Sequence, residues 1–88
     1  MRLWFDTNAS VAEDRYSLGC VGTLRDLSAL GVELQEGMQV TLYMDDQALE
    51  GRPELLVVDA VVEEYEGVLI AHVDAGTWRH EPVRVDAG

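Results

Sequence analysis

Residues 38–44 constrain the fold more than any other part of this chain. Apolar and polar side chains alternate there without interruption. The apolar positions are Met38, Val40, Leu42 and Met44, and the positions between them are Gln39, Thr41 and Tyr43. A two-residue period places successive side chains on opposite faces of a β-strand. One apolar and one polar face are typical of an antiparallel sheet with water on one side.

Two further runs rich in β-branched residues, 55–65 and 68–74, are separated only by Glu66 and Gly67. This short connection predicts a β-hairpin. Shorter strands are predicted at residues 2–5, 16–21 and 78–81. No strand is followed by the helical segment of roughly 10–15 residues that a parallel crossover needs. We therefore predict a mainly β fold, a small antiparallel β-barrel or β-roll of about five to six strands with one short helix.

The one predicted helix covers residues 23–31, where helix signals stand at both ends. Thr23 is suited to cap the N-terminus, and Asp26 is the acidic residue three positions later that can reach back to it. Gly31 is suited to a left-handed exit. The leucines in between recur every three residues, so we expect one apolar stripe against the sheet. The stripe consists of Leu24, Leu27 and Leu30.

The remaining segments are predicted to be turns and loops around one domain that spans residues 1–82. Residues 6–10 form a turn cluster, and residues 9–15 carry so little pattern that we expect a mobile loop. Residues 45–54 are polar and acidic, which predicts a second loop. Residues 83–88 are expected to be a C-terminal tail.

Charge limits the partners of this chain more than it identifies one. The 88 residues include 17 Asp and Glu, 6 Arg and no Lys, for a net charge of -11. Nucleic acids and anionic membranes attract clustered cations, and here the arginines are scattered. We therefore expect no nucleic-acid and no membrane partner. The negative charge is better explained by a basic protein partner, or by a surface whose only role is to keep the domain soluble.

The single cysteine, Cys20, excludes an internal disulfide, and its apolar neighbours predict a buried thiol. The first residues contain no long apolar segment of the kind found in secretory leaders. These features predict a cytoplasmic protein of bacterial type.

Catalytic and metal-binding patterns are missing from the sequence. No serine lies in a nucleophile elbow, and no glycine-rich loop is built to cradle phosphate. His72, Asp74 and His80 would resemble a metal ligand set if the last strand folded back on its neighbour. No helical ligand pair accompanies them, and we expect ordinary polar histidines. The prediction is therefore no enzyme activity, no metal and no cofactor.

Residues 26–31 fit the pattern D-x-S-x-x-G, which resembles the second motif of PilZ domains, small β-barrels that bind cyclic di-GMP. The resemblance implies that Asp26 and Ser28 contact the nucleotide and that Gly31 ends the motif. The family also uses an upstream R-x-x-x-R motif to clamp the ligand. Arg15 is the candidate counterpart, but Gly19 stands four residues later in place of the second arginine. The resemblance therefore implies a cyclic di-GMP-responsive module or a degenerate form of one.

The leading functional prediction is a non-catalytic acidic domain that acts through protein contacts, with a protein partner or as a homodimer. Aromatic side chains are enriched at protein interfaces, so Trp78 and the neighbouring His80 are the candidate contact residues. Two alternatives stay open: the PilZ-like module, with Arg15, Asp26, Ser28 and Gly31 as ligand-binding candidates, and an acidic inhibitor that blocks a basic protein.

Overall fold

A computed structural model describes residues 1–47 and 53–83 of the chain. In these residues the fold is mainly β, as predicted, with seven strands in one sheet and one α-helix. The elements are β1 (Arg2–Trp4), β2 (Ser10–Ala12), β3 (Arg15–Ser17), α1 (Val21–Leu30), β4 (Gln39–Gln47), β5 (Pro53–Tyr65), β6 (Val68–Val73), a 3₁₀ turn (Ala75–Thr77) and β7 (Arg79–Pro82).

The strands are ordered β1-β4-β5-β6-β3-β2, and β7 adds to β5 beside β6. The pairs are antiparallel except β1 with β4, which run parallel. Strand β5 is long enough to use two partners on one edge. Its first half pairs with β7 and its second half with β6.

Chain length forces this sheet to curl. Strands β1 and β2 stand at the two ends of the strand order, yet only residues 5–9 connect them. In a flat sheet five strand spacings of ~4.8 Å would separate them by ~24 Å. The six steps from Trp4 to Ser10 span at most ~20–22 Å when fully extended. The two ends therefore approach each other, but they do not pair, so the predicted barrel is an open, curled sheet.

Aromatic rings fill the gap between the two ends. Phe5, which follows β1, packs edge-on against Tyr16 of β3 with ring centroids 5.5 Å apart. Trp78 lies 6.1 Å from both rings. The inner face of the sheet supplies the rest of the core, to which β4 and β5 contribute alternate residues. The core consists of Leu3, Phe5, Leu18, Val40, Leu42, Val58, Ala60, Val62, Ala71 and Val73. The other side of the sheet is called the outer face below.

Several turn predictions are confirmed and others are wrong. The Glu66–Gly67 hairpin is confirmed, with φ angles of 51° and 82°. The expected loop at 9–15 is instead a second hairpin, β2–β3, whose turn includes Asp14 at φ 58°. Strand β4 continues to Gln47, which shortens the expected 45–54 loop, and residues 48–52 lie outside the described residues, as do residues 84–88 of the predicted tail.

Helix α1 begins two residues earlier than predicted. Cys20, only partly buried, is its N-cap residue and makes no side-chain capping bond. Thr23 is therefore inside the helix, where its side chain is fully buried. The predicted exit is confirmed: Gly31 has φ 66°, its N–H donates to Ser28 O, and the following N–H donates to Leu27 O.

The predicted leucine stripe on α1 is wrong. Only Leu27 packs against the core, whereas Leu24 and Leu30 are about half exposed. A helix turns by ~100° per residue, so positions three apart drift by ~60° at each step. The three leucines therefore spread over ~120°, and no single face contains all of them.

Candidate functional site

The most unusual element of the structure is α1, because its polar side chains face the sheet. The helix lies along the free edge of β1. Asp26 Oδ2 accepts one hydrogen bond from the Trp4 backbone N–H at 2.9 Å and another from the Tyr43 hydroxyl at 2.6 Å. Thr23 Oγ1 donates to the Trp4 carbonyl oxygen at 2.6 Å. The edge of β1 at Trp4 is thus saturated by two side chains of a helix.

The distance between helix and strand is set by a glycine. A Cβ atom built on Gly22 would lie 2.6 Å from Cε3 of Trp4, closer than any real carbon contact. Only glycine therefore lets the indole ring lie directly against the helix backbone.

Apolar side chains of α1 face water instead. The exposed fractions are 83% for Val21 and 54% for Leu24. Leu30 is also about half exposed, but it lies about 180° around the helix from Val21, on the side of Asp26. Val21 and Leu24 are called the α1 patch below. In a surface helix the apolar residues normally face the core. On α1 this arrangement is partly reversed, which the expected leucine stripe did not anticipate.

A small cavity of about 340 Å³ lies between α1 and the outer face. It is lined by Arg2, Asp26, Ala29, Leu30 and Tyr43. The phenol of Tyr43 has a perturbed pKa at this site. Its hydrogen bond to the Asp26 carboxylate, together with desolvation, raises the pKa of Tyr43 to about 12. The protonated phenol of Tyr43 is therefore the form that donates to Asp26 and supports this bond.

The structure separates the residues of the PilZ-like motif by role. Asp26 supports β1 and Tyr43, Gly31 ends the helix, and Ser28 is exposed on α1. Arg15 is on β3, where its Nε donates to Glu63 Oε2 at 2.8 Å. Within the described residues, no hydrogen bond or ion pair connects Arg15 with Asp26 or Ser28. Arg15 also does not line the cavity that contains Asp26.

Arg15 belongs to a cluster on the outer face. Its guanidinium carbon lies 5.6 Å from the centroid of the Tyr65 ring, in cation–π geometry. The hydrogen bond between Arg15 and Glu63 raises the pKa of Arg15 and lowers the pKa of Glu63. His72 Nδ1 lies 3.6 Å from the same Glu63 oxygen. The cluster joins β3, β5 and β6 across the outer face.

A second charged network crosses the other half of the outer face. Arg2 of β1 reaches Glu81 of β7 at 2.9 Å, and Arg79 contacts both Glu81 and Asp59. Arg2 lowers the pKa of Glu81 by a hydrogen bond. Thr41 donates to Asp59 at 3.2 Å. These contacts tie β1, β4, β5 and β7 together.

A shallow groove of about 490 Å³ lies beside this network. Its polar lining comes from Gln39, Thr41, Asp59, His72 and Asp74. His72 and Asp74 were two of the three residues considered for a metal. Within residues 1–47 and 53–83, no three His, Cys, Asp or Glu side chains are close enough together to hold a metal ion.

The two predicted contact residues differ in exposure. Trp78 is half-buried and packs against Phe5 and Tyr16, so most of its ring belongs to the core. His80 is exposed on β7, opposite Leu56. The α1 patch and Tyr43 were not among the predicted site residues. The sequence contained one sign of this arrangement. Val21 and Leu24 are three positions apart, and so are the polar residues Thr23 and Asp26, so the helix has an apolar and a polar side.

No protein-family model matches the chain, and no curated protein or solved structure is significantly similar to it. Among the described residues, no helix is long and apolar enough to cross a membrane. The contacts given above are therefore the basis for assigning a function.

Proposed function

We propose that this chain is a non-catalytic, cytoplasmic protein-interaction domain whose contact surface is the α1 patch. One observation carries the proposal: α1 buries Thr23 and bonds Asp26 to the sheet while Val21 and Leu24 face water. Exposed apolar groups on an ordered element gain free energy when a partner covers them. A helix that presents such groups matches the common mode in which a helix lies in the groove of another protein.

The partner we propose is a protein with Lys and Arg side chains around an apolar contact strip. Among the described arginines, Arg2, Arg15 and Arg79 are already paired with carboxylates. Arg25, which is exposed on α1, is the exception, but the molecule as a whole is strongly negative, with a net charge of -11. A basic partner carries the opposite net charge, so it is steered toward this chain. Blocking such a partner, as an acidic inhibitor does, is one form of this function.

The test uses the purified chain as immobilised bait in a lysate of its source cells, with bound proteins quantified by mass spectrometry. The variant Val21→Ser/Leu24→Ser removes the apolar side chains of the α1 patch without touching the bonds of Asp26 and Thr23. The control Val68→Ser changes a residue that is 62% exposed on β6, away from α1. We expect a partner that the wild type and the control retain and the patch variant loses.

Salt then tests the charge of the partner. We expect the partner's affinity to fall steeply between low and physiological ionic strength, because exposed charges are screened within ~8–10 Å. A partner that binds the patch variant as well as the wild type would contradict the assigned surface. A complex whose affinity does not change with salt would contradict the basic charge of the partner, but it would not contradict the α1 patch as the contact surface.

Cyclic di-GMP binding is the alternative proposal. The observation in its favour is that the cavity containing Asp26 is also lined by Arg2, a cation that a phosphate would pair with by displacing Glu81. Ser28→Ala separates the alternatives, because the exposed Ser28 hydroxyl makes no hydrogen bond within the described residues. If the nucleotide binds through the motif, Ser28→Ala lowers its affinity in calorimetric titration and leaves stability unchanged.

A further inference from the structure

The main chain of β1 points alternately toward β4 and away from it. Thr41 N–H donates to Met1 O at 2.9 Å, and Phe5 N–H donates to Tyr43 O at 3.0 Å. In a parallel pair, every second residue directs its N–H and C=O toward the partner strand. Arg2 and Trp4 therefore direct their main-chain groups outward, to the free edge of the sheet.

Helix α1 occupies that edge at Trp4. The outward N–H and C=O of Trp4 are bonded by Asp26 and Thr23, at 2.9 and 2.6 Å. A neighbouring strand would satisfy both groups with its own main chain. The two side chains of α1 therefore take the place of a strand.

The helix that provides this cover has little stability of its own. It has 10 residues, no side-chain N-cap, no acidic residue in its first turn and no basic residue in its last turn. Isolated helices shorter than ~12–15 residues are marginal in water, and charges opposite to the helix dipole would normally help. Within the described chain, β1 is the only strand that its backbone closely approaches. Such an element opens locally more readily than the core strands.

The other terminal strands of the sheet are protected in different ways. Strand β2 has a register irregularity between Ser10 and Ala12, which disrupts regular pairing. Strand β7 ends in Pro82, which has no N–H to donate. Strand β1 has neither feature, and its protection depends on α1.

We propose that the β1 edge is a second interaction surface, masked by α1, and that its occupant is β1 of a second copy of this chain. An antiparallel pair centred on Leu3 places Arg2 of one copy opposite Trp4 of the other. The outward groups of both residues are then satisfied about a two-fold axis. Strand β1 contains no carboxylate, and its only charge, Arg2, is paired with Glu81. Strand β1 itself therefore adds no carboxylate to the shared strand pair, and salt screens the net charge of -11 on each copy. This surface differs from the α1 patch, although exposing it displaces the helix that carries the patch.

The first test is hydrogen exchange of the native protein, followed by NMR at single amides. Trp4 and Phe5 are adjacent, but the Trp4 amide is bonded to α1 and the Phe5 amide to β4. We expect the Trp4 amide to exchange with solvent at the same rate as the amides of α1. That rate should be about tenfold or more faster than the rate of the Phe5 amide. Equal protection of Trp4 and Phe5 would show that α1 does not open, and the proposal would fail.

The second test measures self-association by analytical ultracentrifugation. Thr23→Val/Asp26→Ala removes both bonds to Trp4, so we expect the dimer dissociation constant to fall by about tenfold or more. Adding Arg2→Pro to this double variant removes an outward N–H and should restore the monomer. The control Arg2→Ala loses the same ion pair with Glu81 but keeps the N–H, so it should leave the dimer intact. A monomeric double variant, or a dimer that Arg2→Pro leaves intact, would overturn the proposal. Neither result depends on a partner for the α1 patch.

Discussion

Asp26 holds β1, β4 and α1 together, so Asp26→Ala should destabilise the whole fold. The substitution removes the single oxygen that accepts from both Trp4 N–H and Tyr43 Oη. The Trp4 N–H then loses its partner at a partly buried position. Helix propensity moves the other way, because alanine is a better helix former than aspartate by roughly 0.5 kcal/mol.

The size of the loss follows from the two bonds. A hydrogen bond to a charged group contributes about 1.5–3 kcal/mol when buried. Water from the adjacent cavity of about 340 Å³ can replace part of it, so we take about 1–1.5 kcal/mol for each bond. After the gain in helix propensity, the free energy of unfolding should fall by about 2 kcal/mol. For a chain of this size that lowers Tm by roughly 8–16 °C.

The assay is urea unfolding monitored by circular dichroism, with Ser28→Ala as the matched control on the same helix. We expect the control to stay within about 0.5 kcal/mol of the wild type. Asp26→Asn keeps one acceptor and should lie between the two. If Asp26→Ala and Ser28→Ala are equally stable, the structural role given to Asp26 is refuted.

The same variant should change the titration of Tyr43. The carboxylate raises the pKa of Tyr43 to about 12, and without it the pKa should return toward the ordinary value of 10.0. A raised pKa in the folded state means that the bond stabilises the fold fully below pH 10 and is lost as pH rises through 12. Ultraviolet absorbance of the phenolate measures this directly. An unchanged titration in Asp26→Ala would contradict the assigned bond.

Two further predictions concern packing and acid stability. Gly22→Ala should lower the free energy of unfolding by about 1 kcal/mol, because the clash with Trp4 outweighs the helix propensity gained; greater stability in thermal melts would contradict the close approach. Arg15 lowers the pKa of Glu63 below 4.5, so this pair stabilises the fold above that pH and is lost as pH falls through the lowered value. Arg15→Ala should therefore flatten the acid limb of a stability–pH curve, whereas Arg25→Ala, which removes the same charge from an exposed position on α1, should leave its shape unchanged.

The parts of the fold that local patterns predicted are those that one strand or turn determines by itself. The alternation in residues 38–44 is confirmed because its apolar members, such as Val40 and Leu42, line the core. The Glu66–Gly67 turn is confirmed because both residues take the positive φ angles that a two-residue hairpin requires. The β2–β3 turn was missed because it contains Asp14 instead of a glycine, and aspartate tolerates the same backbone region.

The arrangement around α1 was beyond local patterns. The partners of Asp26 depend on the parallel pairing of β1 with β4, which joins distant parts of the chain. Asp26 and Gly31 were singled out as motif residues, but nothing near Asp26 indicates that it bonds to Trp4 and Tyr43. The exposure of Leu24 also depends on which side of the helix meets β1. Only the tertiary structure fixes that rotation.

The ring contacts among Phe5, Tyr16 and Trp78 bear on how the chain folds during synthesis. Phe5 and Trp78 come from opposite ends of the sequence, and the sheet has no hydrogen bonds to close it where they meet. A nascent chain that ends before residue 78 lacks one of the three rings, so the two ends of the sheet have less to hold them together. Proteins whose contacts join such distant segments fold in roughly milliseconds to seconds, more slowly than helical bundles. We expect the last third of the chain to leave the ribosome before the core becomes stable.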